Sequence, residues 1–596
     1  VREYTTPAQF TVGDDESVVR TVFTHAEKTP HRVMYSRPEG EDWVAVTARQ
    51  FAEQVSGVAK GLIAAGVQPG DRVALLSATR YEWALFDYAI WAAGAATVPI
   101  YDSSSTEQIR WILDDSEAGI AVVETARHEA LFVDMPDTLR RTLRIDGGAV
   151  DTLIAEGAAV DDATLQARLD GIRADDLASL VYTSGTTGRP KGCMLTHRNF
   201  YSEVRGILTA SIGEVAKPGS RVLTFLPLAH VLARAVSLAV FEGGAAQAHW
   251  SDFGTISAQF ERYAPNTILG VPRVFEKVRD AAARKAAAGG RFNAAIFAFA
   301  EETAIAYSES LDHGGPSFAL KAKRNMADKL VYAKLRQAMG GECWFAISGG
   351  GALSPRLGHF FRGVGVPIYE GYGLTESTAA HSVNVPGAQK IGTVGQPMGG
   401  NSTRIAYDGE IELRGGVVFQ GYWRNEKATA EAFHDGWFRT GDLGEIDDDG
   451  YVRITGRKKD LIITAGGKNV SPGPLEDRMR SHTLVSQAVV VGDGRSYITA
   501  LLTVDPEVLD NWKAENGKPL TATIADLRRD PALHDALQSI VDDANSMVSH
   551  AEAIKKFVVL DRDLTEETGE LTPTLKIKRN VVTERFAADI ESMYAK

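Results

Sequence analysis

Arg72-Val-Ala-Leu-Leu76, Tyr81–Ala93, Ala96-Thr-Val-Pro-Ile100, Glu107–Asp115 and Ile120-Ala-Val-Val123 follow one another with only short connections. The first, third and fifth are brief apolar runs. The second sets Trp83, Leu85, Phe86 and Ile90 at helical spacing, and the fourth also reads as a helix. This β-α-β-α-β order is the pattern of a parallel sheet covered by helices, so the chain is expected to be an α/β protein. Outward from this stretch, Leu177–Tyr182 is another strand-like run. Residues 276–340 are rich in Ala, Lys and Arg and read as a helical insertion with a loop at His313-Gly-Gly-Pro316. Residues 390–455 are dense in Gly and β formers, which predicts a small β-rich subdomain. Past Gly456-Arg-Lys-Lys-Asp460 the pattern changes. Val485–Val491 and Tyr497–Val504 read as strands, and Thr523–His550 reads as one long helix. The expected organisation is a large layered α/β N-terminal domain over 1–456, a hinge over 457–460, and a mobile α+β C-terminal domain over 461–596 with its own core.

Composition narrows the function. The 596 residues carry 64 Lys+Arg against 77 Asp+Glu, a formal net charge of −13. That balance disfavours a general nucleic-acid binder. An anionic ligand must be held by local amides and a few lysines rather than by the overall field. The two cysteines, Cys193 and Cys343, stand alone, which excludes a disulfide scaffold and a Cys-x-x-Cys metal or redox motif and fits a cytoplasmic enzyme. The first residues show no charged-then-apolar signal pattern. The longest apolar stretch, the 14 residues of Tyr88–Tyr101, contains Pro99 and falls short of the ~20 needed to span a bilayer. Peripheral contact with a membrane remains compatible with the sequence.

Chemistry concentrates in Tyr182-Thr-Ser-Gly-Thr-Thr-Gly-Arg-Pro-Lys-Gly192. Glycines and small hydroxyl residues after a strand leave backbone amides uncovered, and such amides bind phosphate oxygens; Lys191 adds a mobile positive charge. The segment is not a Walker A loop, because Pro190 stands where glycine is required and Gly192 where Ser or Thr is required.

This segment resembles the signature of the adenylate-forming (AMP-binding) superfamily, which includes acyl-CoA synthetases and peptide-synthetase adenylation domains. Further segments match in the family's order: Leu226-Pro-Leu-Ala-His230, Ser348-Gly-Gly-Gly-Ala352, Tyr369-Glu-Gly-Tyr-Gly-Leu-Thr-Glu376, Thr440-Gly-Asp442, Gly456-Arg-Lys-Lys-Asp460 and Thr572-Pro-Thr-Leu-Lys-Ile-Lys-Arg579. Among members the chain is most similar to the long-chain fatty-acid–CoA ligases of actinobacterial type.

The resemblance implies ATP, Mg²⁺ and coenzyme A as partners of a fatty acid, in two steps. A carboxylate attacks the α-phosphorus to give acyl-adenylate and pyrophosphate, and a thiol then attacks the adenylate. It assigns Thr183, Ser184, Gly185, Thr186, Thr187, Gly188 and Lys191 to the phosphates, and Gly350, Gly351, Glu370, Gly371, Tyr372, Gly373 and Thr375 to the adenine side. Asp442 and Arg457 fall to the ribose, Thr183 and Glu376 to the metal, and His230 to the acyl carboxylate. Lys576 is the catalytic lysine, in preference to Lys578. Lys459 is the hinge, and Gly466 and Gly467 belong to a loop brought in for the thiol step. Two departures stand out: Leu575 precedes the lysine where many members have Gly, and Arg234 stands where some long-chain enzymes carry a gating Trp. Val231–Phe241 and Gly270–Phe275 fit either an acyl tunnel or plain core. Two rival readings stay open: a fatty acyl-AMP ligase serving a carrier protein, and a non-enzymatic acyl-nucleotide binding protein.

Overall fold

The computed structural model describes residues 2–183 and 189–595. Ser184–Gly188, the centre of the candidate phosphate loop, lie outside the described residues.

The opening stretch forms the strands Arg72–Leu76, Ala96–Ile100 and Ile120–Val123 with the helices Tyr81–Ala92 and Thr106–Ser116 between them. They belong to a six-stranded sheet in the order Arg141–Arg144, Ile120–Val123, Arg72–Leu76, Ala96–Ile100, Leu177–Thr183, Lys191–Thr196. All its pairings are parallel except the closing hairpin. Strands covered on both faces need continuous apolar runs, which is what the sequence supplies. A second, nine-stranded sheet carries parallel strands that include Arg221–Thr224, Thr267–Gly270, Phe345–Ser348 and Ile368–Tyr372. In the helix Tyr81–Ala92, which touches strands of both sheets, every residue but Glu82 is buried. The helix Val231–Gly243 is also largely buried. The 14-residue apolar stretch is thus the end of one internal helix, a turn and one strand.

Arg234 lies inside this layer. It is 1% exposed, and its guanidinium grips both oxygens of Asp87 at 2.8 and 2.7 Å and donates to Ser179 Oγ at 2.7 Å. Trp83, Trp91 and Phe200 ring it. The residue at the gate position is therefore a core ion pair; leaving either partner alone would cost about 3–5 kcal/mol.

Residues 272–338 are helical apart from two short breaks: Pro272–Ala288, Arg291–Leu311, Phe318–Ala327, a π turn Asp328–Tyr332 and Ala333–Ala338. A third sheet, antiparallel, gathers Asn401–Ile405, Glu410–Gly415, Trp437–Ile446 and Val452–Arg457 with Glu3–Thr5. Beyond Asp460 a three-stranded sheet of Val485–Val491, Ile498–Val504 and Ile554–Val559 packs with the helices Pro472–Arg480 and Pro531–Asn545. The apolar clusters divide at the same place: two have their buried members within 18–452 and two within 462–593.

One expectation needs correction. Thr523–His550 is not a single helix. Thr523 caps the short helix Ile524–Leu527, and a new helix begins at Pro531, where Asp530 accepts from the amides of Ala532 and Leu533. Proline has no amide to continue the first helix but suits the first turn of the second.

Candidate active site

The site is assembled from three supports. The first is the hairpin of Leu177–Thr183 and Lys191–Thr196, in which Thr183 faces Lys191 across the ladder. Its returning strand is fixed by Trp423, whose amide donates to Gly192 O at 2.8 Å and whose indole donates to Asp115 O at 3.0 Å. The Lys191 ammonium lies 4.4 Å from the centre of the Tyr422 ring, and the Tyr422 hydroxyl donates to Glu376 Oε1 at 2.8 Å. Tyr422 therefore ties the phosphate lysine to the candidate metal carboxylate. Sequence reading missed it; the aromatic pair after Gly421 was the available signal.

Glu376 sits in the 3₁₀ turn Thr375–Ser377, reached from the strand Ile368–Tyr372 through Gly373. A Cβ at Gly373 would lie 1.4 Å from the Ala379 carbonyl oxygen, so only glycine fits there. Glu203, 1% exposed, accepts from Ala380 N at 3.0 Å and braces the same turn from beneath. Glu376 with the Thr183 hydroxyl suits Mg²⁺, which takes one or two carboxylates and completes its shell with water and substrate phosphate. Among the described residues no cluster of three or more His, Cys, Asp or Glu offers a resident metal cage. Glu376 and Thr183 together fit a metal that shares its shell with substrate phosphate.

The second support is the third sheet. Asp442 and Arg457 are cross-strand partners, and Arg457 Nε lies 3.3 Å from Asp442 Oδ1. Tyr372 donates its hydroxyl to Asp442 Oδ2 at 2.6 Å. The Asp442 amide bonds Thr440 Oγ1, and Glu410 accepts from Gly441 N. Asp442 is thus held from three sides beside an aromatic ring. Glu370, on the Tyr372 strand, accepts from Leu353 N at 2.9 Å and fixes the turn carrying Gly350 and Gly351; burial pushes its carboxyl up to about 8. Gly350 adopts φ +77°, in the left-handed region that favours glycine.

His230 stands at the N-terminus of the helix Val231–Gly243. The preceding strand ends at Thr224, and Thr79 pins the connecting loop by hydrogen bonds to Leu226 O and Leu228 N. Leu232 N donates to His230 Nδ1 at 3.3 Å, which leaves the ring proton on Nε2. Burial, then the charge of Lys576, lower its pKa to about 3, so the imidazole is neutral.

The third support comes from beyond residue 460. Leu571 and Ile577 pair across a tight turn in which Thr572 N donates to Lys576 O and Lys576 N to Thr572 Oγ1. Leu575 takes φ +61° there. Leucine here holds a left-handed backbone, the conformation that glycine adopts most readily. Glu570, fully buried at the root of the turn, is held by Arg562 and Arg585, and Arg579 clamps Glu476 at 2.7 and 2.8 Å. Lys576 is exposed as a whole residue, yet protein groups crowd its ammonium. Desolvation first, then Arg457, pull its pKa down to about 8, with Asp442 and Glu376 opposing. The backbone amide of Lys578 donates to Glu570 O and closes the same turn.

Lys191 and Glu376 thus meet through Tyr422. Tyr372, Asp442 and Arg457 meet directly. Lys576 stands within electrostatic reach of Asp442, Glu376, Arg457 and His230. Lys459 lies in the 3₁₀ turn Lys458–Asp460, beside Lys458, which pairs with Asp408 and Glu410. Burial, then Arg457, lower its pKa. Gly466 and Gly467 form the exposed turn of the hairpin Ile462–Val470, packed on Gly494 and Arg495 of their own domain and not on this cluster.

Comparisons with known proteins identify the family. The family model of AMP-binding enzymes matches residues 22–423, and that of the AMP-binding enzyme C-terminal domain matches residues 459–596. Long-chain-fatty-acid–CoA ligase FadD15 of Mycobacterium bovis and that of Mycobacterium tuberculosis are each 51% identical over 602 residues, covering 100% of both chains. ACSBG2 of Xenopus laevis, also a long-chain-fatty-acid–CoA ligase by name, is 29% identical over 94% of this chain and 81% of its own. By fold, the anthranilate CoA ligase AuaEII with anthranoyl-AMP superposes with a TM-score of 0.73 at 18% identity, covering 97% of this chain and 99% of its own. A Mycobacterium tuberculosis fatty acyl CoA synthetase superposes with a TM-score of 0.62 at 22% identity, over 97% of this chain and 100% of its own. The chain belongs to the AMP-binding enzyme family of adenylate-forming enzymes.

Proposed function

We propose that this chain is a long-chain fatty-acid–CoA ligase that consumes ATP to make an acyl-adenylate and then transfers the acyl group to coenzyme A, releasing AMP and pyrophosphate. The observation that carries it is the convergence of Lys576, from the C-terminal region, on a cleft already holding neutral His230, Asp442, Arg457 and Glu376. Full-length similarity to FadD15 supports the acyl class and the acceptor.

The first half-reaction brings two anions together, so placement and charge neutralisation dominate. In this reading Thr183, Ser184–Gly188 and Lys191 take the phosphates, and Lys191 keeps its direction through the Tyr422 face. Tyr372 stacks on adenine beside the turn of Gly350 and Gly351 and the strand of Glu370 and Gly371. Asp442 accepts two ribose hydroxyls while Arg457 holds its other side. Glu376 and Thr183 would hold Mg²⁺, whose charge neutralises phosphate oxygens. The neutral His230, with its proton on Nε2, donates to one carboxylate oxygen of the fatty acid. Lys576, in its ammonium form, bridges the other oxygen to the α-phosphate, where negative charge grows in the transition state. For the second half-reaction the C-terminal domain, residues 461–596, turns on the 457–460 hinge at Lys459. It withdraws Lys576 and brings the loop of Gly466 and Gly467 to line the pantetheine path.

The direct test supplies ATP, Mg²⁺, free CoA and a series of fatty acids of increasing length, and follows acyl-CoA. Acyl-CoA formation without a carrier protein, rising with chain length, is expected. Acyl-adenylate accumulating in the presence of CoA would overturn the reading in favour of a fatty acyl-AMP ligase. Nucleotide binding with no adenylate formed would leave only a binding protein.

A further inference from the structure

We propose that the outward face of the helical segment Phe318–Ala338 docks the protein on an anionic lipid surface. On this face Phe318 is 89% exposed, Met326 50% and Leu330 43%, with exposed Ala322 and Ala333 between and beyond them. The spacing 318, 322, 326, 330 places these side chains in one stripe along the helix. Lys321, Lys323, Lys329 and Lys334 are exposed beside the stripe, and among the described residues none of the four pairs with a carboxylate. Residues 317–341 hold six basic residues and one acid, in a chain whose formal charge is −13. The acid, Asp328, is taken by Arg336 at 2.7 Å.

The fold makes no use of this face. Ala327, Tyr332 and Leu335 are buried on the other side, where the Tyr332 hydroxyl donates to Ala300 O. Arg324 donates to Gly363 O and Arg336 to Val364 O, so both arginines are turned inward and serve packing. The lysines and large apolar groups left outside form a cationic, amphipathic stripe, the chemistry of a helix lying in a lipid interface with lysine stems reaching the headgroups. No helix among the described residues is long and apolar enough to cross a membrane, so the contact is a surface one. The positive charge selects anionic headgroups over neutral ones. The stripe also suits the proposed substrate. An enzyme held at a lipid surface would meet its acid where that acid is dissolved. The surface argument uses none of the catalytic assignments, and its test needs neither ATP nor CoA, so the two readings fail separately.

The test is cosedimentation of the full chain with vesicles of phosphatidylcholine alone or mixed with phosphatidylglycerol, at low and high salt. Binding to the mixed vesicles that is lost on neutral ones and weakened by salt is expected. Lys321→Gln with Lys329→Gln should lower it about 25-fold, from roughly fivefold per lysine near a charged surface. Lys427→Gln with Lys555→Gln, on exposed lysines elsewhere, should lower it far less. Phe318→Ser should weaken what binding survives in high salt, while thermal melting stays unchanged. Equal pelleting of the 321/329 and 427/555 variants would overturn the proposal, since it would reduce binding to overall charge. Sedimentation velocity showing a dimer that Phe318→Ser dissolves would also overturn it, assigning the stripe to a second copy of the chain.

Discussion

The proposed ribose clamp and the turn of the proposed catalytic lysine hold the two ends of one site in opposite ways. Asp442 and Arg457 face each other on neighbouring strands, and Tyr372, Thr440 and Glu410 fix them from within the same domain. Asp442 is only 6% exposed at its side chain and is held by protein partners of its own domain. Lys576 has no such socket. Its turn is braced by Glu570 and Glu476 of its own domain, and it reaches the cleft because that domain is docked there. Contacts between the domains include Arg273 to Ser486 at 3.0 Å, Arg273 to Asp505 at 3.8 Å and Arg284 to Glu507 at 2.9 Å. A permanent clamp suits a nucleotide that stays through both half-reactions. A delivered charge suits a group needed in only one.

The largest expected effect sharpens this contrast directly. Lys576→Ala should lower adenylation about 100- to 1,000-fold, the scale of removing one donor from a site of developing charge. Thiolysis of supplied acyl-adenylate should change little. Pyrophosphate exchange and thiolysis measured side by side decide it, and equal loss in both would break the comparison.

The pH dependence comes next. With its pKa lowered to about 8, Lys576 loses its proton as pH rises through 8. Adenylation kcat/KM for ATP, which reports free-enzyme groups, should therefore fall about tenfold per pH unit above that point. Bound phosphate restores the charge, so kcat should hold to higher pH. His230, already neutral with a pKa near 3, adds no acid limb around pH 5–7. A kcat/KM profile flat to pH 10 would remove the enclosed lysine from the mechanism.

A smaller effect is expected at the docking surface. Arg273→Ala with Arg284→Ala removes partly exposed contacts worth about 0.2–1 kcal/mol each. Adenylation should fall several-fold, thiolysis should hold or rise, and AMP affinity should stay unchanged because the clamp is elsewhere. Added salt should mimic the double variant. A parallel fall in both half-reactions would show that these contacts stabilise the fold and not one domain position.

The smallest effect belongs to Leu575. Its φ of +61° costs a non-glycine residue roughly 1–2 kcal/mol. Leu575→Gly relieves that strain but adds backbone entropy to the unfolded chain, about 0.5–1 kcal/mol, so melting and adenylation should stay close to the parent. Leu575→Val, β-branched in the same conformation, should lower adenylation several-fold. Tolerance of valine would mean that the turn's backbone does not set the lysine's direction.

Where residues act through near neighbours in the chain, the sequence was readable. The strand runs at 72–76, 96–100 and 120–123 announce themselves because buried parallel strands need unbroken apolar residues. Asp442 and Arg457 were legible as members of separate short motifs, and their pairing needed only one hairpin. The sequence was less informative at Tyr422, an aromatic residue like many others until Lys191 and Glu376 arrive from distant segments. It was silent at Arg234, where a cation within an apolar run finds Asp87 some 147 positions away. The helix over 523–550 failed at Pro531, whose local chemistry had signalled a start.

By itself, the order of residues determined the α/β class, the adenylate-forming signature and the set of groups available for the chemistry, because periodicity and short motifs record what each segment must bury or expose. Only the tertiary structure decided which of those groups share a cleft, how the turn that carries Lys576 is braced, and that Arg234 belongs to the core. Those outcomes depend on packing between segments hundreds of residues apart, and no local pattern encodes a distance of that kind.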